Sequence, residues 1–266
     1  MEFIIGGAVL IIIAGVLLLY WNKMRNRALN IKYYETSKVA DVLDVYHQLG
    51  IGLNGQYKGG IVELIGQGVT NDPLIAEHSG REALYYRAKK IREYETRETI
   101  TETDANGNTT QRKVVKNRSE TVSDNTHYVP FYLQDDSEGQ IKINIKGATK
   151  HTIRTVNTFE PYRESSSWFG GRRGTTKGYR YIEDMIPHQA QLYVLGQAVE
   201  DSGELTIAKP SKDSDVEYIV STKSEQELIQ GAENASLGYL IGAILLGIAG
   251  IAVIVIGFTQ FSEYGY

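Results

Sequence analysis

The chain has no cysteine among its 266 residues, which excludes disulfides, thiolate zinc sites and thioester chemistry. Proline is scarce, with 5 residues, and there is no basic excess: 28 Lys and Arg stand against 32 Asp and Glu, a formal net charge of −4. The two signs are interspersed, so the electrostatic footprint of a nucleic-acid binder is missing and no nucleic-acid partner is expected. Five histidines, at positions 47, 78, 127, 151 and 188, never recur at the i, i+4 spacing of a zinc-binding helix. No metal site and no cofactor is expected. No internal repeat of about 20 to 50 residues is visible.

What the chain does have is hydrocarbon at both ends. Residues 3–21 and 237–258 carry no charge, and each run of about 20 residues matches the thickness of a bilayer core. Glu2 precedes the first run and Tyr20-Trp21 closes it, which fits a membrane span with an interfacial aromatic anchor rather than a cleaved signal peptide. Lys23, Arg25, Arg27 and Lys32 follow the first span directly, whereas the outer segments carry only Glu2 and Glu263. The charge rule therefore predicts a two-pass protein of the plasma membrane, with the central domain cytoplasmic and both termini outside. The inner flank of the second span opposes this, with Glu225, Glu227 and Glu233 and Lys223 as the nearest cation.

Between the spans the periodicity changes twice. Ser37 is placed to cap a helix with Val39, Val42, Leu43, Tyr46 and Leu49 on one face. From Gly59 onward strands are predicted over 61–65, 84–94, 99–115 with a hairpin turn at Asn106-Gly107, then 129–133, 140–145, 191–199, 204–207 and 217–220. Eighteen tyrosines suit such a pleated surface. Ser224 and Glu227 form an S-x-x-E capping box for a helix leading into the second span. The expected organisation is a span at 3–21, a linker and amphipathic helix at 22–50, a β-rich domain at 51–223, a membrane-proximal helix at 224–236 and a span at 237–258. Its fold class is mainly β, an antiparallel barrel or sandwich-like domain between two transmembrane helices.

Candidate chemistry is thin. Gly171 to Gly178 lacks the G-K-[ST] ending of a phosphate loop, and Asp104 to Asn108 has its glycine two positions early for a calcium loop. Asp135, Asp136 and Glu138 read as a turn, and Ser79 beside His78 is too close in sequence to make a nucleophile and base. No catalytic residue is assigned. The glycine-rich stretch 165–178 stands out because it sets Trp168 and Phe169 beside Arg172, Arg173 and Lys177, an aromatic-and-cation mixture suited to a protein partner or lipid headgroups.

Four phrases run down the domain in order: Pro73-Leu-Ile-Ala-Glu-His-Ser-Gly-Arg-Glu-Ala-Leu-Tyr-Tyr-Arg87, Val129-Pro-Phe-Tyr-Leu-Gln-Asp-Asp136, Gln191-Leu-Tyr-Val-Leu-Gly-Gln-Ala198 and Ile219-Val-Ser-Thr-Lys-Ser-Glu-Gln-Glu-Leu228. Together they resemble the GIDE family, which includes a mitochondrial membrane-anchored ubiquitin and SUMO ligase and shorter prokaryotic relatives. The resemblance implies that the region between the spans is a "beside a membrane" (BAM) domain that recognises substrates or partners. In the eukaryotic members ligase activity comes from a RING finger after the second span, and a chain ending at Tyr266 without cysteine has no RING zinc site.

The expected function is thus a non-catalytic, membrane-anchored module that recruits a protein partner at the cytoplasmic face, with residues 168–177 as its contact. A self-assembling scaffold is the alternative, because Gly6, Gly7, Ala14, Gly15, Gly238, Gly242, Gly247 and Gly250 offer small faces for close contact of membrane helices. A metal-dependent hydrolase built on Asp135, Asp136, His78 and His127 is the lesser alternative.

Overall fold

The computed structural model describes residues 2–49, 57–103, 109–162, 175–211 and 214–264. Both apolar ends are helical: α1 spans Glu2–Tyr33 and α3 spans Glu225–Tyr264. Each is long and apolar enough to cross a membrane, and the pair fits a two-pass membrane protein. They run antiparallel, with Phe3 against Gly257, Leu17 against Gly242, and the rings of Tyr20 and Tyr239 5.6 Å apart. The closest approach is at Gly7 and Gly250. A Cβ on Gly7 would lie 2.5 Å from Ile254 Cγ1 and 2.7 Å from the Gly250 carbonyl oxygen, so only glycine permits this backbone contact.

Neither helix stops at the membrane. Asn22 to Tyr33, expected to form a linker, continues α1, because the segment contains good helix formers and no glycine or proline. The Ser224 capping box starts α3, with the Ser224 N–H donating to Glu227 Oε2 at 2.9 Å and Glu227 N–H donating to Ser224 Oγ at 3.3 Å. The two helices therefore emerge as one stalk, braced by a Lys32–Glu233 ion pair.

The domain on this stalk has thirteen strands among its described residues. In chain order they are β1 (Thr36–Ser37), β2 (Lys58–Val69), β3 (Leu74–Ile75), β4 (Glu82–Thr103), β5 (Thr109–Tyr128), β6 (Phe131–Gln134), β7 (Gln140–Ile143), β8 (Thr149–His151), β9 (Ile153–Pro161), β10 (Thr175–Pro187), β11 (Gln191–Asp201), β12 (Glu204–Ala208) and β13 (Ile219–Ser221). Five of them close on themselves in the order β2-β6-β7-β12-β11 and back to β2. All pairs in that ring are antiparallel except β7 with β12. This is a five-stranded Greek-key barrel of the OB type. Its interior holds Leu64, Phe131, Leu133, Ile141, Ile143, Val194 and Ile207, each essentially inaccessible.

Helix α2 (Val39–Leu49) plugs one end of the barrel with Val39 and Val42. Its cap is not Ser37, which lies in β1. The Val39 N–H donates to Asp135 Oδ2 at 2.9 Å and the Ala40 N–H to Ser137 Oγ at 3.0 Å, both from the β6–β7 turn. The turn can come this close because Gly139 follows: a Cβ there would sit 3.0 Å from Val39 Cγ1 and 3.1 Å from Ala40 N.

The stalk meets the barrel through an apolar patch of Ile31, Tyr193, Leu195, Ile219 and Leu228. Beside it Glu63 is completely buried, accepting from Thr36 Oγ1 at 2.7 Å and Tyr193 OH at 2.8 Å. Burial raises its pKa above the ordinary carboxylate value, and the two hydroxyls only partly offset this. Arg27 of α1 reaches the same joint, with Nη2 2.8 Å from His151 Nε2 and Nε 2.8 Å from Glu217 Oε2. Burial, then the Arg27 charge, lowers the His151 pKa, so its ring stays neutral and accepts from the guanidinium.

Candidate interaction surface

The insertions between β2 and β6 and between β7 and β11 leave the barrel and pair with each other. They form a second sheet in the order β3-β4-β10-β9, with β5 on the free side of β4. Strands β4 and β5 form one hairpin of 22 and 20 residues, about 70 Å if fully extended, projecting as an arm. The sequence predicts separate strands at 84–94 and 99–115 with a turn at Asn106-Gly107, a turn that lies outside the described residues; residues 95–98, charged at Glu95, Arg97 and Glu98, belong to β4. In the structure those charges alternate across a continuous ladder.

The root of the arm is fastened by a second buried glutamate. Glu183 of β10 is completely inaccessible and accepts from Ser79 Oγ at 2.5 Å, His78 N at 2.7 Å, Thr155 Oγ1 at 2.8 Å and Ser79 N at 3.3 Å. Burial pulls its pKa upward, but these donors outweigh it and hold the carboxyl below its ordinary value. The His78 ring lies edge-on to Tyr181, with centroids 5.2 Å apart. Ser79 and His78 are thus a lashing for the β3–β4 turn.

Beyond the root the arm is a single layer, and side-chain pairs hold it in register. Arg87 grips Asp124 with two bonds of 2.7 and 2.6 Å, Arg154 grips Asp184 at 2.9 and 3.2 Å, and Arg180 reaches Glu93 at 2.7 Å. Glu98 receives both Lys116, at 2.7 Å, and Arg118. Lys90 lies 4.6 Å from the Tyr179 ring centroid. Strand β5 pairs only with β4 among the described residues and is exposed along its length apart from Val114 and Ser123. Its outer backbone edge is open to another strand.

Of the predicted contact residues, Lys177 lies in β10, within the sheet, 3.5 Å from Glu95 Oε1 and 3.4 Å from Asn117 Oδ1. Trp168, Phe169, Arg172 and Arg173 lie outside the described residues. β10 begins at Thr175, which pairs with Glu95 partway along the arm. The four residues considered for a hydrolase go to separate places. Asp135 caps α2, Asp136 pairs with Lys38, His78 packs on Tyr181, and the His127 ring lies 5.2 Å from Tyr86. Among the described residues no three His, Asp or Glu side chains converge as a metal site. What sequence reasoning missed was the length of the arm, which runs from Glu82 to Thr103 and from Thr109 to Tyr128 where a hairpin over 99–115 was expected.

The family model GIDE, described as E3 Ubiquitin ligase, matches residues 98–256, from the distal arm to the second membrane helix. No curated protein and no solved structure gives a significant match.

Proposed function

Because the chain belongs to the GIDE family, we propose that it is a membrane-anchored recognition module, non-catalytic in itself, that recruits a protein partner at the cytoplasmic face of the plasma membrane. These 266 residues hold no cysteine, so a RING zinc centre cannot form from them. What the family relation contributes is the part beside the membrane. The observation that carries the reading is the arm: a polar sheet whose 20-residue edge strand pairs on one side only among the described residues, standing off a barrel that is joined to a two-helix stalk long and apolar enough to cross a membrane. An edge of this kind gives main-chain hydrogen bonds to an added strand, while flanking side chains select it. Anchoring raises the local concentration of the module for partners in the same membrane. Trp168, Phe169, Arg172 and Arg173, together with Lys177 of β10, are assigned to the contact.

The test is cross-linking in native membranes followed by mass spectrometry, comparing wild type with a shortened arm and with the quadruple alanine variant at Trp168, Phe169, Arg172 and Arg173. A stoichiometric partner lost in the shortened-arm variant supports the reading. The same partner retained in both variants overturns it.

A second reading, self-assembly into a scaffold, rests on a different observation. Gly7, Gly242, Gly250 and Gly257 are used between α1 and α3, but Gly6, Gly15, Gly238 and Gly247 meet nothing within 4 Å and leave small faces open to another copy. A single monomeric species in lipid discs would remove it.

A further inference from the structure

Along α1, Leu19, Asn22, Asn26 and Asn30 follow one another at spacings of three and four, with Lys23 and Arg27 four and eight residues after Leu19, so that all six share one face. This stripe forms one wall of a cavity of about 780 Å³ between the stalk and the barrel, and Asp215, Glu217 and Ile219 stand on the other wall. The upper end is tied shut by Arg27 to Glu217 at 2.8 Å and by Asn30 Nδ2 donating to the Asp215 carbonyl oxygen at 3.3 Å. The lower end is not. Lys23 and the Asp215 carboxylate are exposed and have no side-chain partner among the described residues, and Leu19 extends the lining down into the membrane-spanning part of the helix.

We propose that this cavity binds the zwitterionic headgroup of a glycerophospholipid bearing a primary ammonium. Lys23 lies one helical turn, about 6 Å, above Leu19, which is the depth of lipid phosphates beside a span. Its ammonium and the side-chain amides of Asn22 and Asn26 supply donors for the phosphate. Asp215 on the facing wall accepts from the ligand ammonium, and an acyl chain lies along Leu19. Once Arg27 and Glu217 neutralise each other, the cavity offers, among the described residues, one cation and one carboxylate without a side-chain partner, Lys23 and Asp215. That balance favours a headgroup carrying both signs over an anionic one.

Native mass spectrometry of the full-length protein in detergent, titrated separately with phosphatidylethanolamine, phosphatidylglycerol and phosphatidylcholine, tests the assignment. Wild type is expected to take up one phosphatidylethanolamine in preference to the other two. Lys23→Ala should weaken it about fivefold, the effect of one interfacial cation. Asp215→Asn should abolish the preference over phosphatidylglycerol while retaining binding. Both side chains are exposed and have no side-chain partner among the described residues, and matching thermal unfolding will verify that the variants fold. A wild type that prefers phosphatidylglycerol, or a Lys23→Ala variant that binds like wild type, overturns the proposal. Displacement of the lipid by equimolar free O-phosphoethanolamine would overturn the lipid as source and identify a soluble ligand instead.

Discussion

The joint under the stalk and the root of the arm each bury one glutamate completely, yet the two carboxyls are pushed in opposite directions. Glu63 at the joint accepts from two hydroxyls, Glu183 at the root from two hydroxyls and two backbone N–H groups. Both carboxyls are closed to solvent, and the opposite directions follow from the number of donors and from the Glu225 charge, which raises Glu63 further. Where donors suffice the charged form is favoured and the carboxylate holds a turn down. Where they do not, the folded state prefers the proton. The arm root is accordingly a fastening that requires charge, and the joint is one that is weakened by it.

Removing the Glu183 carboxylate should be the most damaging change, because it strands four donors in a site closed to water. Glu183→Ala is expected to lower stability by about 3 kcal/mol, with hydrogen exchange accelerating first in the β3–β4 turn. Wild-type protection there, taken relative to intrinsic exchange at each pH, should also fall at low pH. A carboxyl with a lowered folded pKa contributes stability above its unfolded value, near 4.5, and loses it as pH falls through the folded value. Unchanged exchange in residues 74–82 of the variant would remove the distinction between the two sites.

The stalk can be broken without touching either carboxyl. Gly250→Leu forces a side chain into the Gly7 carbonyl and Ile11, which lie 2.9 Å from its Cβ position. The expected loss is about 2 kcal/mol, read as separation of the two helices in a double electron-resonance measurement between labels on α1 and α3. Exchange at the joint should rise with it and exchange at the arm root should not.

Glu63→Gln should act in the opposite sense to the Glu183 change. A raised folded pKa means that the favourable contribution is complete below about pH 4.5 and is lost as pH rises through the folded value. At neutral pH the neutral amide should therefore equal or exceed wild type by about 1 kcal/mol, and the advantage should vanish at pH 4. His151 works against this trend in the wild type, since its lowered pKa costs stability as pH falls below about 6.5. The informative quantity is the difference between variant and wild type across pH, in which the histidine cancels. A variant less stable than wild type at pH 7 would show that Glu63 is charged in place.

Why were these two glutamates illegible in the sequence? In Ile61-Val-Glu-Leu-Ile65 an acid between aliphatics reads as the outward residue of an alternating strand, and Glu183 sits in a tyrosine-rich run with no mark of its own. Their burial is created by partners 27 to 130 residues away. The same holds for the α2 cap, where local Ser37 was the natural choice and Asp135, 96 residues distant, does the capping. By contrast the membrane helices, the Ser224 capping box and most barrel strands were legible, because composition, period and cap are local signals. Barrel closure through β2 and β11 was not specified by any local feature, and the predicted contact loop falls largely outside the described residues.

The smallest expected effect lies along the arm and limits how far charge alone accounts for it. Arg87 and Asp124 make a two-bond pair, but their side chains are 45% and 33% exposed, and water screens most of what the geometry offers. Arg87→Ala is expected to cost about 0.5 kcal/mol or less, a difference that shrinks further in high salt. Thermal unfolding at low and high ionic strength measures both. A loss near that of Glu183→Ala would mean that the single-layer sheet depends on its ion pairs for stability, and the contrast between a buried fastening and an exposed ladder would fail. A small, salt-sensitive loss leaves the arm as a register-setting ladder whose strength resides at its root, with an edge strand free to accept another.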